Sequence, residues 1–176
     1  MMVTNTSRNE KVLTHREKRM TTTTGPRTDR LARILEEGYG RAEGAWHGPD
    51  LKVALADVST DLAFWRPSPE RHNIAEIALH HAYFVRSVRG RLSGAGAGAP
   101  LEPFVLEGDE WFPVSDESRL TWHRIRDVVD TEQRRLAAVV VDAGADRAEA
   151  FDLVLGITCH AVYHAGQVQL IKRLRS

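Results

Sequence analysis

Near the end of the chain stands the stretch HAVYHAGQ, residues 160–167, within a segment at 149–174 whose apolar residues recur at helical spacing. That spacing predicts a helix, on which residues four apart lie above one another with Cβ atoms roughly 5–6 Å apart. His160 and His164 therefore share a face, together with apolar residues that a helix directs into the core. Two core-facing imidazoles are costly to bury unless something binds them, so the stretch predicts part of a metal site.

Apolar residues at helical spacing predict further helices upstream, and no segment has the alternating pattern of a strand. The connection at 93–115, which contains the apolar patch Trp111-Phe112-Pro113, is long for a compact domain. Such a connection is typical of a crossover between helix ends that are not adjacent. We therefore predict an all-α protein, a four-helix bundle with one long crossover. The upstream helices are predicted at residues 29–38, at 51–62 as a short element, from a cap at His72-Asn73 to about 92, and at 116–141.

The chain has 176 residues, enough for one domain with a sizeable core. Residues 1–26 are polar, include the run TTTTGP at 21–26 and offer almost nothing to bury, so we predict a disordered tail there. Met20 is a second candidate for the start of translation. The helical domain is then predicted over residues 27–176.

Charge and cysteine content exclude several classes of partner. Lysine and arginine (24) balance aspartate and glutamate (24), which leaves no excess of positive charge for binding DNA or RNA. No apolar run approaches the length that spans a bilayer, and no signal-peptide core follows the start. A single cysteine cannot form an intrachain disulfide, which fits a reducing compartment. These features predict a cytoplasmic protein with no nucleic-acid or membrane partner.

Other kinds of catalytic site find little support in the sequence. There is no Glu-x-x-His, which argues against a ferritin-like di-iron bundle, and no glycine-rich phosphate loop. Cys159 adjoins His160 but points about 100° away from it around a helix. We interpret this cysteine as a small buried apolar residue rather than a nucleophile.

The third ligand of the predicted metal site has two candidates on the helix that begins near residue 74. His81 lies near the centre of the apolar stripe and His80 lies about 100° away at its flank, so periodicity alone favours His81. We interpret His72 and His123 as capping or surface residues. Three histidines leave coordination positions open for water or substrate, as in catalytic zinc sites. An ion held in this way lowers the pKa of bound water to about 7 or polarises a substrate oxygen.

Three stretches carry a resemblance to a known family: WHGPDL at 46–51, HNIAEIALH at 72–80, and HAVYHAGQ with its continuation to 174. Together they resemble the DinB/YfiT-like superfamily of four-helix metalloproteins, over about residues 28–174. The resemblance implies helices in up-down-down-up order, a divalent ion such as nickel or zinc, and a homodimer. It also implies metal-dependent hydrolysis or thiol S-transfer as the activity.

The ligand set follows from the same resemblance. In that family the ligand on the second long helix follows an Ile/Val-Ala-Glu-like start by six residues, and counting from Ile74 gives His80. The resemblance thus selects His80 where periodicity favoured His81, which remains the fallback. The paired ligands of the last helix correspond to His160 and His164.

Three further side chains are candidates for a catalytic role. Gln167 lies three residues beyond His164 on the same face, and Glu76 lies one turn before His80, so either can orient a ligand or a metal-bound water. The simpler interpretations are a contact at the C-terminal face for Gln167 and a solvated helix charge for Glu76. His47 belongs to the first stretch shared with the family.

The sequence therefore predicts a metal-dependent enzyme that acts on a small molecule. The chemistry is hydrolysis or, as the resemblance implies, transfer of a low-molecular-weight thiol such as bacillithiol or mycothiol to a small electrophile. One alternative is a non-catalytic metal- or ligand-binding stress-response dimer. Another is a structural helical dimer in which the histidines are satisfied core residues.

Overall fold

In the computed structural model, which describes residues 27–93, 101–142 and 148–176, every regular element is an α-helix. The described chain forms no strand beyond an isolated bridge between Ala45 and Gly48. The predicted tail at 1–26 lies outside the described residues. The six helices are α1 (Arg27–Gly38), α2 (Leu51–Ala56), α3 (Thr60–Phe64), α4 (Ile74–Leu92), α5 (Trp122–Asp142) and α6 (Ala148–Arg175). The all-α prediction is confirmed.

Helix α4 begins where the sequence predicts because its first turn is capped by local hydrogen bonds. The Asn73 side chain accepts the backbone N–H of Glu76 at 2.8 Å, and the Glu76 carboxylate accepts the backbone N–H of Asn73 at 3.3 Å. This reciprocal capping box satisfies two N–H groups that a helix start leaves unpaired. The Asn73 amide also donates to the Val114 carbonyl at 2.9 Å, which ties the start of α4 to the connection that follows it.

The single short helix predicted at 51–62 is instead two helices. Asp50 caps α2, and its side chain accepts the backbone N–H of Val53 at 3.0 Å. Ser59 then caps α3 in the same way, accepting the N–H of Leu62 at 3.2 Å. A serine at a position with extended backbone starts a new helix rather than continuing the old one, which is why the chain breaks after α2.

Helix α5 begins later than the predicted residue 116. The hydroxyl of Ser118 accepts the backbone N–H of Ser115 at 2.8 Å, and the N–H of Ser118 donates to the Ser115 carbonyl. These bonds hold a turn in place of a first helical turn. The Trp122 indole then donates to the Val58 carbonyl at 2.8 Å, which fixes the start of α5 against the segment between α2 and α3.

The packing of the long helices places α4 beside α6. Helices α1 and α4 each pack against both α5 and α6. None of the helices in the described ranges has a stretch long and apolar enough to cross a membrane. Two apolar clusters fill the space between the helices, one including Ile74, Leu79, Ile125 and Val168 and the other Leu35, Val85, Leu136 and Val154. Since α4 and α6 carry the predicted ligands, this packing decides where the site forms.

Candidate metal centre

Three histidines from two helices meet with their Nε2 atoms facing one another. His80 comes from α4, and His160 and His164 come from α6. The Nε2 atom of His160 lies 3.3 Å from that of His80 and 3.1 Å from that of His164. The three side chains form a group that could hold a metal ion through one ring nitrogen each. We call these residues the histidine triad.

Each ring of the triad has a partner for its other nitrogen, Nδ1. The Nδ1 of His80 lies 2.8 Å from the Glu110 carbonyl oxygen, and that of His164 lies 2.6 Å from Oε1 of Gln167. An amide oxygen only accepts hydrogen bonds, so these two Nδ1 atoms carry the proton. In a neutral ring the Nε2 atom is then a lone-pair donor, and it points into the triad. Partners of this kind fix the tautomer and orientation of metal-binding histidines.

Burial keeps the triad neutral. Burial, together with the adjacent rings of His164 and His80, lowers the pKa of His160 to about 3. Burial likewise lowers the pKa of His164 to about 4, although its hydrogen bond with Gln167 opposes the shift. The pKa of His80 also falls below its ordinary value because the ring is buried. Histidine binds metals in its neutral form, so near neutral pH the triad is ready to bind one.

The geometry of the triad fits a divalent ion. Nitrogen atoms bound to one tetrahedral zinc ion at about 2.0–2.1 Å lie about 3.3–3.4 Å from each other. The separations of 3.1 and 3.3 Å at His160 are close to this value. The Nε2 lone pairs of His80 and His164 both face His160, whose Nε2 could donate at most one proton. A cation is therefore the partner that can satisfy all three nitrogens together.

His81, which periodicity favours, is next to the triad but not part of it. Its side chain is completely buried, and its Nδ1 lies 3.2 Å from the Nδ1 of His160, on the side away from the other Nε2 atoms. The central position of His81 on the apolar face of α4 encloses its ring in the core. The flanking position of His80 instead leaves that ring at a pocket wall.

The three catalytic candidates from the sequence have different surroundings. Gln167 contacts the triad through His164, and its side-chain amide donates to the Tyr163 hydroxyl at 3.0 Å. His47 is exposed, bonds the Glu37 carbonyl at 2.8 Å and does not line the pocket beside the triad. The structure therefore gives His47 no contact through which to act on the site.

Glu76 is a buried structural carboxylate, so its interpretation as a solvated helix charge is wrong. It pairs with the Arg66 guanidinium, lies 3.0 Å from Nδ1 of His72 and accepts the backbone N–H of Val114. None of its hydrogen bonds in the described structure reaches the triad. Burial alone would raise the pKa of Glu76, but the hydrogen bonds from Arg66, His72 and Val114 outweigh it and hold the pKa below its ordinary value.

Sequence reasoning missed the role of Trp111. Its ring stacks on His80, with centroids 3.8 Å apart and planes 9° apart, and on His72, with centroids 3.6 Å apart and planes 4° apart. His72 was interpreted as a capping or surface residue, and the structure adds this stacking contact. The signal that the sequence offers is the apolar patch at 111–113, which lies within the long connection.

A pocket of about 730 Å³ opens beside the triad. All three triad rings line it, and of the described residues around it none is aspartate or glutamate. Its volume is in the range of small-molecule sites. A larger groove of about 950 Å³ lies between α1 and α5 and contains no histidine. The apolar wall of the triad pocket is formed by Pro67, Ile77, Trp111, Leu170, Ile171 and Leu174, and its polar groups include Ser68, Arg71, Tyr163 and Gln167.

The prediction that Cys159 is buried is wrong. The residue is exposed on α6, about 100° around the helix from the neighbouring His160. The face of α6 that carries Cys159 points away from the core.

An all-α chain in which a histidine triad joins two packed helices belongs to the class of helical proteins with a histidine cluster that could hold a metal ion. The sequence matches the family model of the DinB superfamily over residues 45–168, and the chain belongs to that superfamily. No curated protein and no solved structure matches the chain significantly.

Proposed function

We propose that the protein is a metal-dependent enzyme in which His80, His160 and His164 bind a divalent ion, nickel or zinc. The observation that carries the proposal is the convergence of three neutral Nε2 atoms at the wall of an open pocket. A closed structural site would surround its ion with protein ligands, whereas three ligands beside a pocket leave room for water or substrate.

The chemistry we propose is hydrolysis or the transfer of a low-molecular-weight thiol to a small electrophile. A bound ion would act as a Lewis acid and lower the pKa of a bound water or thiol. In the transfer, sulfur forms a bond to the electrophilic carbon, and the thiol proton leaves with the displaced group. The thiol is proposed from the family resemblance.

The protein's own side chains would hold the reactants. Gln167 keeps the ring of His164 oriented through their 2.6 Å hydrogen bond. Trp111 and Leu170 supply apolar walls that exclude water from the reacting atoms. Arg71 is exposed at the pocket and forms no ion pair or hydrogen bond through its guanidinium within the described ranges. With no carboxylate in the lining, this charge favours a neutral or anionic substrate over a cationic one.

The rival function is a non-catalytic metal- or ligand-binding protein of a stress response, acting as a helical dimer. One observation favours a dimer in either case: outside the triad pocket, α6 leaves Phe151 and Leu155 exposed. Apolar surface of this kind is typical of a contact with a partner. We propose a homodimer on this basis and from the family resemblance.

Several broader features belong to the same proposal. Residues 27–176 form one domain, in which α1, α4, α5 and α6 are the four helices of an up-down-down-up bundle. Contact of α1 and α4 with the same two helices supports this arrangement, and so does the long connection between α4 and α5. The protein is proposed to be cytoplasmic, with no nucleic-acid or membrane partner.

Elemental analysis of untagged protein tests the metal site. We expect close to one nickel or zinc ion per chain in the wild type and less than a tenth of that in the His80→Ala and His160→Ala variants. His123→Ala, at a position exposed to solvent, is the matched control and should keep the ion. Circular dichroism should show unchanged helicity in all variants. Full occupancy in His160→Ala would contradict the ligand assignment.

Activity assays then separate the enzyme from the binding protein. Metal-loaded wild type and His160→Ala are compared in ester hydrolysis and in conjugation of bacillithiol or mycothiol to an aromatic chloride. Turnover in the wild type that disappears in the variant supports the enzyme. A fully loaded protein that is inactive in both assays favours the non-catalytic alternative.

A further inference from the structure

His81 is a fully buried imidazole with a single polar contact. Its side chain has 0% exposure, and its Nε2 has no hydrogen-bond partner among the described residues. The contact is made by its Nδ1, which lies 3.2 Å from Nδ1 of His160. Tyr39 stacks near the ring with centroids 6.3 Å apart, but its hydroxyl donates instead to Asp130 at 2.7 Å. Among the described residues, His160 is therefore the hydrogen-bond partner of the His81 side chain.

Two hydrogen-bond directions are chemically possible between these rings. If His81 donates from Nδ1, the neutral ring of His160 carries its proton on Nε2 and cannot bind a metal through that atom. If His160 donates from Nδ1, its Nε2 is a lone-pair donor that faces His80 and His164. Only the second direction lets the whole triad bind one ion.

We propose that His81 positions His160 for metal binding by accepting the hydrogen bond from its Nδ1–H. The inference rests on the proposed function, since it assumes that the triad binds a metal. It completes the pattern of the triad, because His80 and His164 already have oxygen acceptors at Nδ1. His81 is a positioning residue and not a ligand in this arrangement.

An imidazole that accepts this hydrogen bond leaves a buried N–H group without a partner. When His81 accepts at Nδ1, its neutral ring carries the proton on Nε2, where a buried donor has no partner. A side chain of similar size without this donor should therefore leave the fold intact or more stable, while the metal is bound less tightly. A purely structural role for His81 predicts the opposite effect on stability and no specific effect on metal affinity.

Two substitutions separate these roles. His81→Leu removes the acceptor and fills the space with apolar atoms. His81→Asn places an amide oxygen near the position of Nδ1 and keeps an acceptor. His123→Leu repeats the first change at an exposed position and serves as the control. Zinc dissociation constants are measured by chelator competition, and melting temperatures are measured after metal removal.

We expect zinc to bind about 10- to 100-fold more weakly in His81→Leu than in the wild type, with His81→Asn much closer to the wild type. The metal-free melting temperature of His81→Leu should be equal or higher. In nuclear magnetic resonance spectra of the zinc-loaded wild type, the Nδ1–H of His160 should exchange slowly with solvent, and this protection should disappear in His81→Leu.

The other outcomes overturn the inference in distinguishable ways. Equal zinc affinity in His81→Leu and the wild type removes the positioning role and leaves the proposed metal site standing. Complete loss of zinc in His81→Leu, with retention in His80→Ala, makes His81 the ligand. A wild-type protein that binds no zinc or nickel after reconstitution overturns both the inference and the proposed function.

Discussion

The indole of Trp111 lies flat against the imidazole of His80, with ring centroids 3.8 Å apart and planes inclined by 9°. This contact joins the connection between α4 and α5 to the one triad histidine that α6 does not supply. In the same segment, the backbone carbonyl of Glu110 accepts a hydrogen bond from the Nδ1–H of His80 at 2.8 Å. Residues 110 and 111 thus fix both the plane and the tautomer of the ring.

We therefore predict that Trp111→Ala weakens metal binding without removing a ligand. Loss of the stacked surface frees the ring of His80, and the dissociation constant for zinc should rise about tenfold. The stability of the metal-free protein should fall by more than the about 0.5–1.5 kcal/mol that one aromatic pair contributes beyond its buried area, because Trp111 stacks on both His72 and His80. Chelator competition and urea unfolding measure the two quantities. Trp46→Ala, at a site with 93% exposure, should change neither, and an unchanged zinc affinity in Trp111→Ala would show that His80 is held without the stack.

Gln167 gives a second test of ligand orientation. Gln167→Leu removes the acceptor of the His164 Nδ1–H and should weaken zinc binding about 10- to 100-fold. Gln167→Glu keeps an acceptor and should bind zinc at least about tenfold more tightly than Gln167→Leu. Gln169→Leu, two residues further along α6, is the matched control. If Gln167→Leu and Gln169→Leu have equal affinities, the hydrogen bond does not tune the site.

The buried Glu76 carboxylate should make stability depend on acidity. Its pKa is lowered in the folded protein, so it stabilises the fold fully above the ordinary carboxyl pKa of 4.5. This contribution decreases as the pH falls below 4.5 and is lost once the pH passes below the lowered folded value. Glu76→Gln should therefore cost roughly 1–3 kcal/mol in the free energy of unfolding at pH 7, and the difference should shrink in acid.

Urea unfolding at pH 7 and at pH values below 4 measures this difference. Glu70→Gln is the control, since Glu70 is exposed and lies in the connection just before α4. A difference between wild type and Glu76→Gln that stays constant over this pH range would mean that the charge of Glu76 does not stabilise the fold.

Arg71 should select for negative charge in the pocket. We predict that Arg71→Gln weakens the binding of phenylacetate about two- to fivefold, as expected for an exposed charge, and leaves phenylacetamide unaffected. Isothermal calorimetry on the metal-loaded protein compares the two probes, which differ only in charge and hydrogen bonding. Arg124→Gln, in the groove between α1 and α5, is the control. Equal losses for both probes would indicate a change in pocket shape instead of lost charge recognition.

The sequence predicted those parts of the fold that local chemistry controls. The start of α4 was predicted within a residue because Asn73 and Glu76 cap it through bonds that span three positions. The same local reasoning failed at α5, where the serines at 115 and 118 hold a turn in place of helix. The first turn of α5 is capped further along the chain by Thr121, whose hydroxyl accepts the backbone N–H of Arg124 at 3.3 Å.

The candidate site was less accessible to sequence reasoning. The spacing of His160 and His164 was sufficient to place them on one face. Helical periodicity could not decide whether His80 or His81 joins the triad, because the answer depends on which flank of α4 borders a pocket. The stacking of Trp111 on His80 joins residues 31 positions apart across a loop, and no helical period reports such a contact.

The triad joins two helices through His80 and His160, which are 80 residues apart along the chain. An ion bound there would stabilise the fold by mass action, because the assembled triad binds it and the separated helices of the unfolded chain release it. The melting temperature of this protein would then rise with the concentration of free metal. Melting temperatures measured in a series of buffers with different free metal concentrations would then show which ion the protein binds and how tightly. This measurement needs no knowledge of the substrate.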